Sequence, residues 1–153
     1  MAGTPSKKGR NVLIRRMRKS DYDDLVALWM ASGLPFRPDG RDSRENVMKE
    51  IGSRSTDFLI AERDGDIIGA ALCTNDGRKG WINRLAVLPE CQHQGIASKL
   101  IAEAERRFEE RGLTVVACLI HDDNSGSRAL FERMGYELDR SVLYYSKRKN
   151  KDV

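Results

Sequence analysis

Cysteine and histidine are scarce in this chain, three and two residues among 153. Cys73, Cys91 and Cys118 are odd in number and lack C-x-x-C spacing, which argues against a disulfide framework or a thiolate metal site. Two of them lie in apolar strand patterns and read as buried free thiols, while Cys91, beside a turn, is the one oxidation or alkylation would reach. Long hydrophobic runs are missing as well. The longest, 66–73 and 113–120, have strand length rather than bilayer length, and the polar first ten residues contain no signal-peptide core, so a cytosolic protein is expected. Two common nucleotide motifs are absent: no Gly-Lys-Ser/Thr phosphate loop, and no G-x-G-x-x-G with an acid about 20 residues on. The longest stretch without an acidic residue is the start of the chain. Residues 1–19 hold seven Lys or Arg and no acid, and residues 144–153 hold Lys147, Arg148, Lys149 and Lys151 against Asp152, so behind a net charge of +4 the body between them is acidic. A nucleic-acid reader would spread its positive charge over a folded surface among aromatic residues. Solvated tails are the better reading.

What remains is an ordinary globular composition, 40% hydrophobic and 33% charged, of a size suited to one domain with a full core. We expect a disordered basic tail at 1–11, a single domain at 12–147 and a second basic tail at 148–153. The chain shows no internal repeat. Val12 to Met17 reads as a strand, Ser20-Asp21-Tyr22-Asp23 as a helix start, and Leu25, Leu28 and Trp29 recur at helical spacing. Pro35 and Pro38 interrupt the helical pattern, and a second helix is predicted from Ser43 to Ile51. Strands at 57–63 and 66–74 flank Asp64-Gly65, a hairpin signal. After the turn at 76–80 come a strand at 81–88, a long amphipathic helix from Ile96 to Glu110 ended by Gly112, a strand at 114–121, a helix at 125–134 and final strands between Tyr136 and Lys147.

The most informative stretch joins the strand ending Leu85-Ala86-Val87-Leu88-Pro89 to the turn Gln92-His93-Gln94-Gly95-Ile96-Ala97 and the long helix. Small residues at Gly95 and Ala97 let backbone N–H groups crowd around an anion, and the helix adds its positive end. A pyrophosphate is the ligand this suits. With Asn124 and the helix ending Phe131-Glu132-Arg133-Met134-Gly135-Tyr136 at the right separation, the chain closely resembles the GNAT superfamily of acyl-CoA-dependent N-acyltransferases from about Val12 to Tyr145. It is similar in particular to small prokaryotic single-domain members.

The resemblance implies an α/β (α+β) fold, a mixed, centrally splayed sheet of six to seven strands flanked by about four helices. It implies N-acetyl transfer from acetyl-CoA, without a metal, to a primary amine of a small molecule or protein N-terminus, by direct attack in a ternary complex. Leu85, Ala86 and Val87 would pair with the pantetheine amides. Backbone groups of His93, Gln94, Gly95, Ile96, Ala97 and Ser98 would hold the pyrophosphate beside Gln92. Asn124, Ser127, Leu130, Phe131 and Arg133 would line the thiol arm or the adenine side, although Asn124 is equally suited to cap its helix. The acceptor would be met by the first two helices and their loop, where Phe36, Arg37, Asp39, Arg41 and Arg44 offer chemistry.

Departures from the family bear on catalysis. Phe131 stands where many relatives carry a Tyr that protonates the leaving thiolate, and residues 81–87 contain no carboxylate to act as base. Two catalytic candidates follow. His121 stands two residues beyond the position some relatives give to a Glu, and histidine is the side-chain type best suited to proton transfer near neutrality; the plainer reading is a polar residue ending the strand. Tyr144 or Tyr145 offers a hydroxyl, only one of them facing inward, and packing is the plainer role. Two other functions remain at this point: an acyl-CoA-binding module without turnover, and a basic-tailed nucleic-acid or ribosome-associated protein. The terminal strands also suit pairing across a homodimer.

Overall fold

The computed structural model describes residues 11–151, so of the proposed basic tails the first lies outside the described residues but for Asn11, while residues 148–151 of the second are described. Nine elements follow the chain: β1 (Leu13–Arg16), α1 (Tyr22–Ala31), α2 (Arg44–Ile51), β2 (Thr56–Arg63), β3 (Asp66–Asn75), β4 (Gly80–Val87), α3 (Ile96–Glu110), β5 (Val116–Ala117) and α4 (Ser125–Arg133). The strands form one sheet in sequence order, antiparallel from β1 to β4 and parallel between β4 and β5. The hairpin between β2 and β3 turns on Asp64 and Gly65, both at positive φ, as expected of a two-residue turn that follows strand twist.

Strand alternation divides the core into two layers. Phe58 and Ile60 of β2 face α1 and α2, joining Tyr22, Leu25, Leu28, Trp29 and Val47, while Leu59 and Ala61 face Leu100, Ile101, Ala104 and Phe108 of α3 and Phe131 of α4. The α3 residues recur at three- and four-residue intervals, the apolar stripe that a sheet-packed helix needs. Phe108 lies so close to β4 that a Cβ on Gly80 would come within 2.5 Å of its ring. Ser43 caps α2, its Oγ accepting from the Asn46 N–H at 3.2 Å.

Five strands, not six or seven, make the sheet. The strand predicted at 114–121 shrinks to Val116–Ala117, and the segment 136–147 is not a strand. A strand exists only where a neighbour completes its ladder. β4 and β5 pair only at Gly80 with Val116 and Trp81 with Ala117, which leaves β5 too short an edge to recruit the next segment.

Candidate active site

Beyond Trp81 the sheet opens. From Ile82 onward β4 keeps β3 on one side and, among the described residues, no strand on the other. Within this free stretch the β3–β4 register skips: Ala70 faces Ala86 and Leu72 faces Asn83, leaving Arg84 and Leu85 together opposite Ala71. Arg84 takes φ +49, the left-handed conformation of a bulge residue. An extra residue reverses the parity of everything beyond it. Arg84 therefore shares the α1 face with Trp29, whereas unbroken alternation would have driven its guanidinium into the α3 layer.

The bulge also sets the main-chain groups beside the opening. Leu88 donates its N–H to Ile68 of β3 at 2.9 Å, so by alternation Val87 turns its own N–H and carbonyl to the free side. There its carbonyl accepts from Gln92 Nε2 at 3.3 Å, tying the turn to the end of the strand. The turn is left-handed at His93 and again at Gly95, with φ +60 and +79. Gly95 is the N-cap of α3, and among the described residues the backbone N–H groups of His93 to Ser98 donate to no protein acceptor. Ile96 is buried and contributes only its main chain, whereas Gln92, His93 and Gln94 are exposed and Ala97 and Ser98 half-buried. Free amides at a helix start, led in by two left-handed residues, are a main-chain arrangement able to take an anion. The Gln94 side chain is engaged elsewhere, since its Oε1 accepts from Arg63 at 2.9 Å, and the same guanidinium reaches Cys91 Sγ at 3.2 Å. Cys91 is buried, contrary to the exposure expected of it. Burial pushes the Cys73 thiol up to about 12 and raises that of Cys118. A cavity of about 720 Å³ beside Cys91 lies between α1 and the β2–β3 hairpin, on the far side of the strand from the opening.

The other expected residues divide into groups. Leu85, Ala86 and Val87 flank the opening, and Ala86 and Val87 are buried by their side chains, leaving main-chain groups as their offering. Asn124 caps α4, its Oδ1 accepting from the Ser127 N–H at 3.1 Å. Phe131 is buried edge-on against Tyr136, with ring centroids 4.9 Å apart, so its ring belongs to the α3 layer; Arg133 is exposed. His121 is exposed just before that cap, where Asn124 donates to its carbonyl. Cys118 and Ile120 pack into the α3 layer, whereas Leu119 and His121 are exposed. The final strands expected between Tyr136 and Lys147 do not form, and Tyr144 and Tyr145 are exposed.

A cluster around Arg84 went unread in the sequence. Its guanidinium stacks 4.2 Å over Trp29, donates to the Pro35 carbonyl at 2.8 Å and lies 3.4 Å from Asp42 Oδ1, while Trp29 also meets Phe36. The Asp42 carboxylate in turn accepts the Arg37 N–H at 2.9 Å, and Tyr22 holds the Asp42 carbonyl at 2.7 Å. One arginine thus pins the α1–α2 loop to the bulge. Glu50 of α2 is raised above its ordinary value by burial first and by the Asp42 charge second, with Arg84 opposing. Only a chain position beside a phosphate-turn strand hinted at Arg84; Glu50 left no signal, because its partners are far away in sequence.

Among the described residues no cluster of histidine, cysteine and carboxylates could hold a metal ion, and no helix is long and apolar enough to cross a membrane. Residues 22–136 match the profile of the acetyltransferase (GNAT) family. An acetyltransferase of Sodalis glossinidius (strain morsitans) is 30% identical over 135 residues, spanning 88% of this chain and 94% of that protein. Two solved structures share the fold. AAC(6')-Iy, in complex with the bisubstrate analogue CoA-S-monomethyl-acetylneamine, superposes with a TM-score of 0.77 at 24% identity, covering 90% of this chain and 99% of its own. The PaiA N-acetyltransferase of Thermoplasma acidophilum, in complex with coenzyme A, also gives 0.77, at 22% identity over 84% of this chain and 91% of its own.

Proposed function

The chain belongs to the GNAT acetyltransferase family, and from that premise we propose that it moves an acetyl group from acetyl-CoA to a primary amine by direct attack in a ternary complex. One observation carries the proposal: the free edge of β4 runs into a cradle of unpaired amides, so a ligand with peptide-like amides and a pyrophosphate meets matching groups in one line. The complexes of AAC(6')-Iy and PaiA with CoA or its analogue support that choice.

Acetyl-CoA would supply a thioester carbonyl and a thiol leaving group with an ordinary pKa of about 8.5. The amides of 93–98 would take the diphosphate, and the main chain of Leu85 to Val87 would hold the pantetheine as a neighbouring strand. The Val87 N–H, turned to the open side, is the donor suited to the carbonyl oxygen as charge develops there. An alkylammonium of pKa about 10.4 must lose a proton before it attacks. His121, exposed between β5 and α4, is the proposed acceptor of that proton, directly or through water. With Phe131 in place of a tyrosine, the thiolate leaves without a hydroxyl donor at that position. The α1–α2 loop, pinned by Arg84, is the proposed acceptor wall; the Asp42 carboxylate is already engaged by Arg84 and the Arg37 N–H, which leaves Glu50 of α2 as the carboxyl beside it.

Calorimetric titration with acetyl-CoA, followed by thiol release across aminoglycosides, polyamines, amino acids and peptides, tests the reading. Micromolar binding with amine-dependent release supports it. Failure to bind acetyl-CoA overturns the cradle, and binding with no release from any amine removes the transferase mechanism.

A further inference from the structure

The cavity of about 720 Å³ between α1 and the β2–β3 hairpin has no part in acetyl transfer as proposed above. Asp24, Ala27, Leu28 and Ala31 recur along one face of α1 and form one wall, and the two alanines leave the space that longer side chains would fill. Ile67 and Leu88 complete an apolar interior. Around it stand four exposed acids, Asp24, Asp64, Asp66 and Glu90. Among the described residues Asp24, Asp66 and Glu90 have no cationic partner. Arg63 is the one cation among the described residues that line the cavity, and its guanidinium donates instead to Gln94 Oε1 at 2.9 Å and to Cys91 Sγ at 3.2 Å.

The chain itself brings cations to this place. β1 pairs antiparallel with β2 from Leu13 opposite Glu62, and continuing that register backward sets Val12 beside Arg63 and Asn11 beside Asp64. Residues 1–10, which lie outside the described residues, thus precede a strand end that stands at the hairpin walling the cavity. They carry Lys7, Lys8 and Arg10 and no acid. Strands about 4.8 Å apart put the end of β4, with Glu90 just beyond it, about 15 Å from β1, whereas ten extended residues span up to about 33 Å. Charge and reach both fit. Lysine stems bury along apolar surface while their ammonium groups stay at a polar rim, which suits an apolar interior ringed by carboxylates.

We propose that the basic segment 1–10 seats in this cavity of its own chain, with Lys7, Lys8 and Arg10 against Asp24, Asp64, Asp66 and Glu90. Composition by itself named no partner for that segment. Gln94 belongs both to the cavity wall and to the turn before α3, so the seated segment brings positive charge next to the proposed anion site. The seat stands whether or not acetyl-CoA binds, since none of its charged groups belongs to the cradle or the acceptor wall.

Zero-length carbodiimide coupling of the full chain, mapped by peptide mass spectrometry, tests it. A mixture of isotope-labelled and unlabelled protein separates links within a chain from links between copies. Amide links from Lys7 or Lys8 to Asp24, Asp64, Asp66 or Glu90 within one chain are expected. Links between copies only, or no link from either lysine to these four because another cation holds the cavity, overturn the proposal. Trypsin gives an independent reading, because a seated segment is shielded from cleavage after Lys7, Lys8 and Arg10. The triple variant Asp24→Asn, Asp66→Asn, Glu90→Gln, shown to be folded by circular dichroism, should lose the segment about tenfold faster than wild type at low salt, as three partly exposed ion pairs are lost together. High salt should bring the wild type toward the rate of the variant. Equal rates in the two proteins at low salt overturn the seat.

Discussion

At the scale of single residues, Gly95, Arg84 and His121 have separable roles. Gly95 sits at φ +79 at the mouth of the cradle, so Gly95→Glu both strains the turn and sets a carboxylate against the anion site. We expect the acetyl-CoA Kd to rise by at least about tenfold with the fold intact by circular dichroism; unchanged affinity would reject the cradle. Arg84 joins the bulge to the α1–α2 loop, the proposed acceptor wall, through Trp29, Pro35 and Asp42. Arg84→Ala should raise the acceptor KM by about tenfold, the loss of a desolvated cation–π contact and a charged hydrogen bond, while the acetyl-CoA Kd stays put. Arg84→Lys should not rescue it, since an ammonium cannot stack flat and reach two acceptors at once. His121→Ala should lower kcat and remove the acidic limb of its pH profile. A profile of unchanged shape would take His121 out of the mechanism.

At the scale of elements, the contact between α3 and β4 holds the cradle to the strand it serves. Gly80 gives Phe108 room, and the Cβ of Gly80→Ala would meet three ring atoms at 2.5 to 2.7 Å. Overpacking of that kind costs about 1–3 kcal/mol, seen as a lower Tm. Phe108→Leu in the same chain should recover part of the loss, and simple addition of the two single effects would show that the ring is not the obstacle. The elements themselves were well read from the sequence. The predicted α3 matches the observed helix from Ile96 to Glu110, and the hairpin at Asp64-Gly65 stands where predicted. Local capping, turn chemistry and periodicity suffice there. The strands at 114–121 and 136–147 failed because pattern states a capacity to pair and says nothing of whether a partner is within reach.

At the scale of the whole molecule, ion pairs fasten the edge strand to the first helix turn. Asp21 accepts from Arg15 at 2.7 and 3.0 Å and from the Arg18 N–H at 2.7 Å. The Arg15 guanidinium, foremost, holds its carboxyl below the ordinary value, against the opposing effect of burial. A carboxyl lowered in the folded state contributes stability that is present above its unfolded pKa of about 3.9 and is lost as the pH falls through the lower folded value. Asp21→Asn should therefore destabilise the protein by about 2 kcal/mol at pH 7, with the difference from wild type shrinking below about pH 4. Thermal melts from pH 7 to 3 show it; a difference constant across that range would mean that packing rather than charge is what the aspartate supplies.

Sequence alone determined the family, the order of strands and helices through α3, and the turn from Gln92 into the helix at Ile96, because all of these rest on residues adjacent in the chain and on local backbone preference. Tertiary structure decided what depends on distant neighbours. Ala71 on the adjoining strand has two residues of β4 opposite it, and this bulge turns Arg84 toward Trp29 and Asp42 and leaves Val87 facing the opening. Phe131 became core because Tyr136 packs edge-on against it. The end of the chain was left without a ladder because β4 and β5 part after two residues, a matter of strand bend and register that no local pattern encodes.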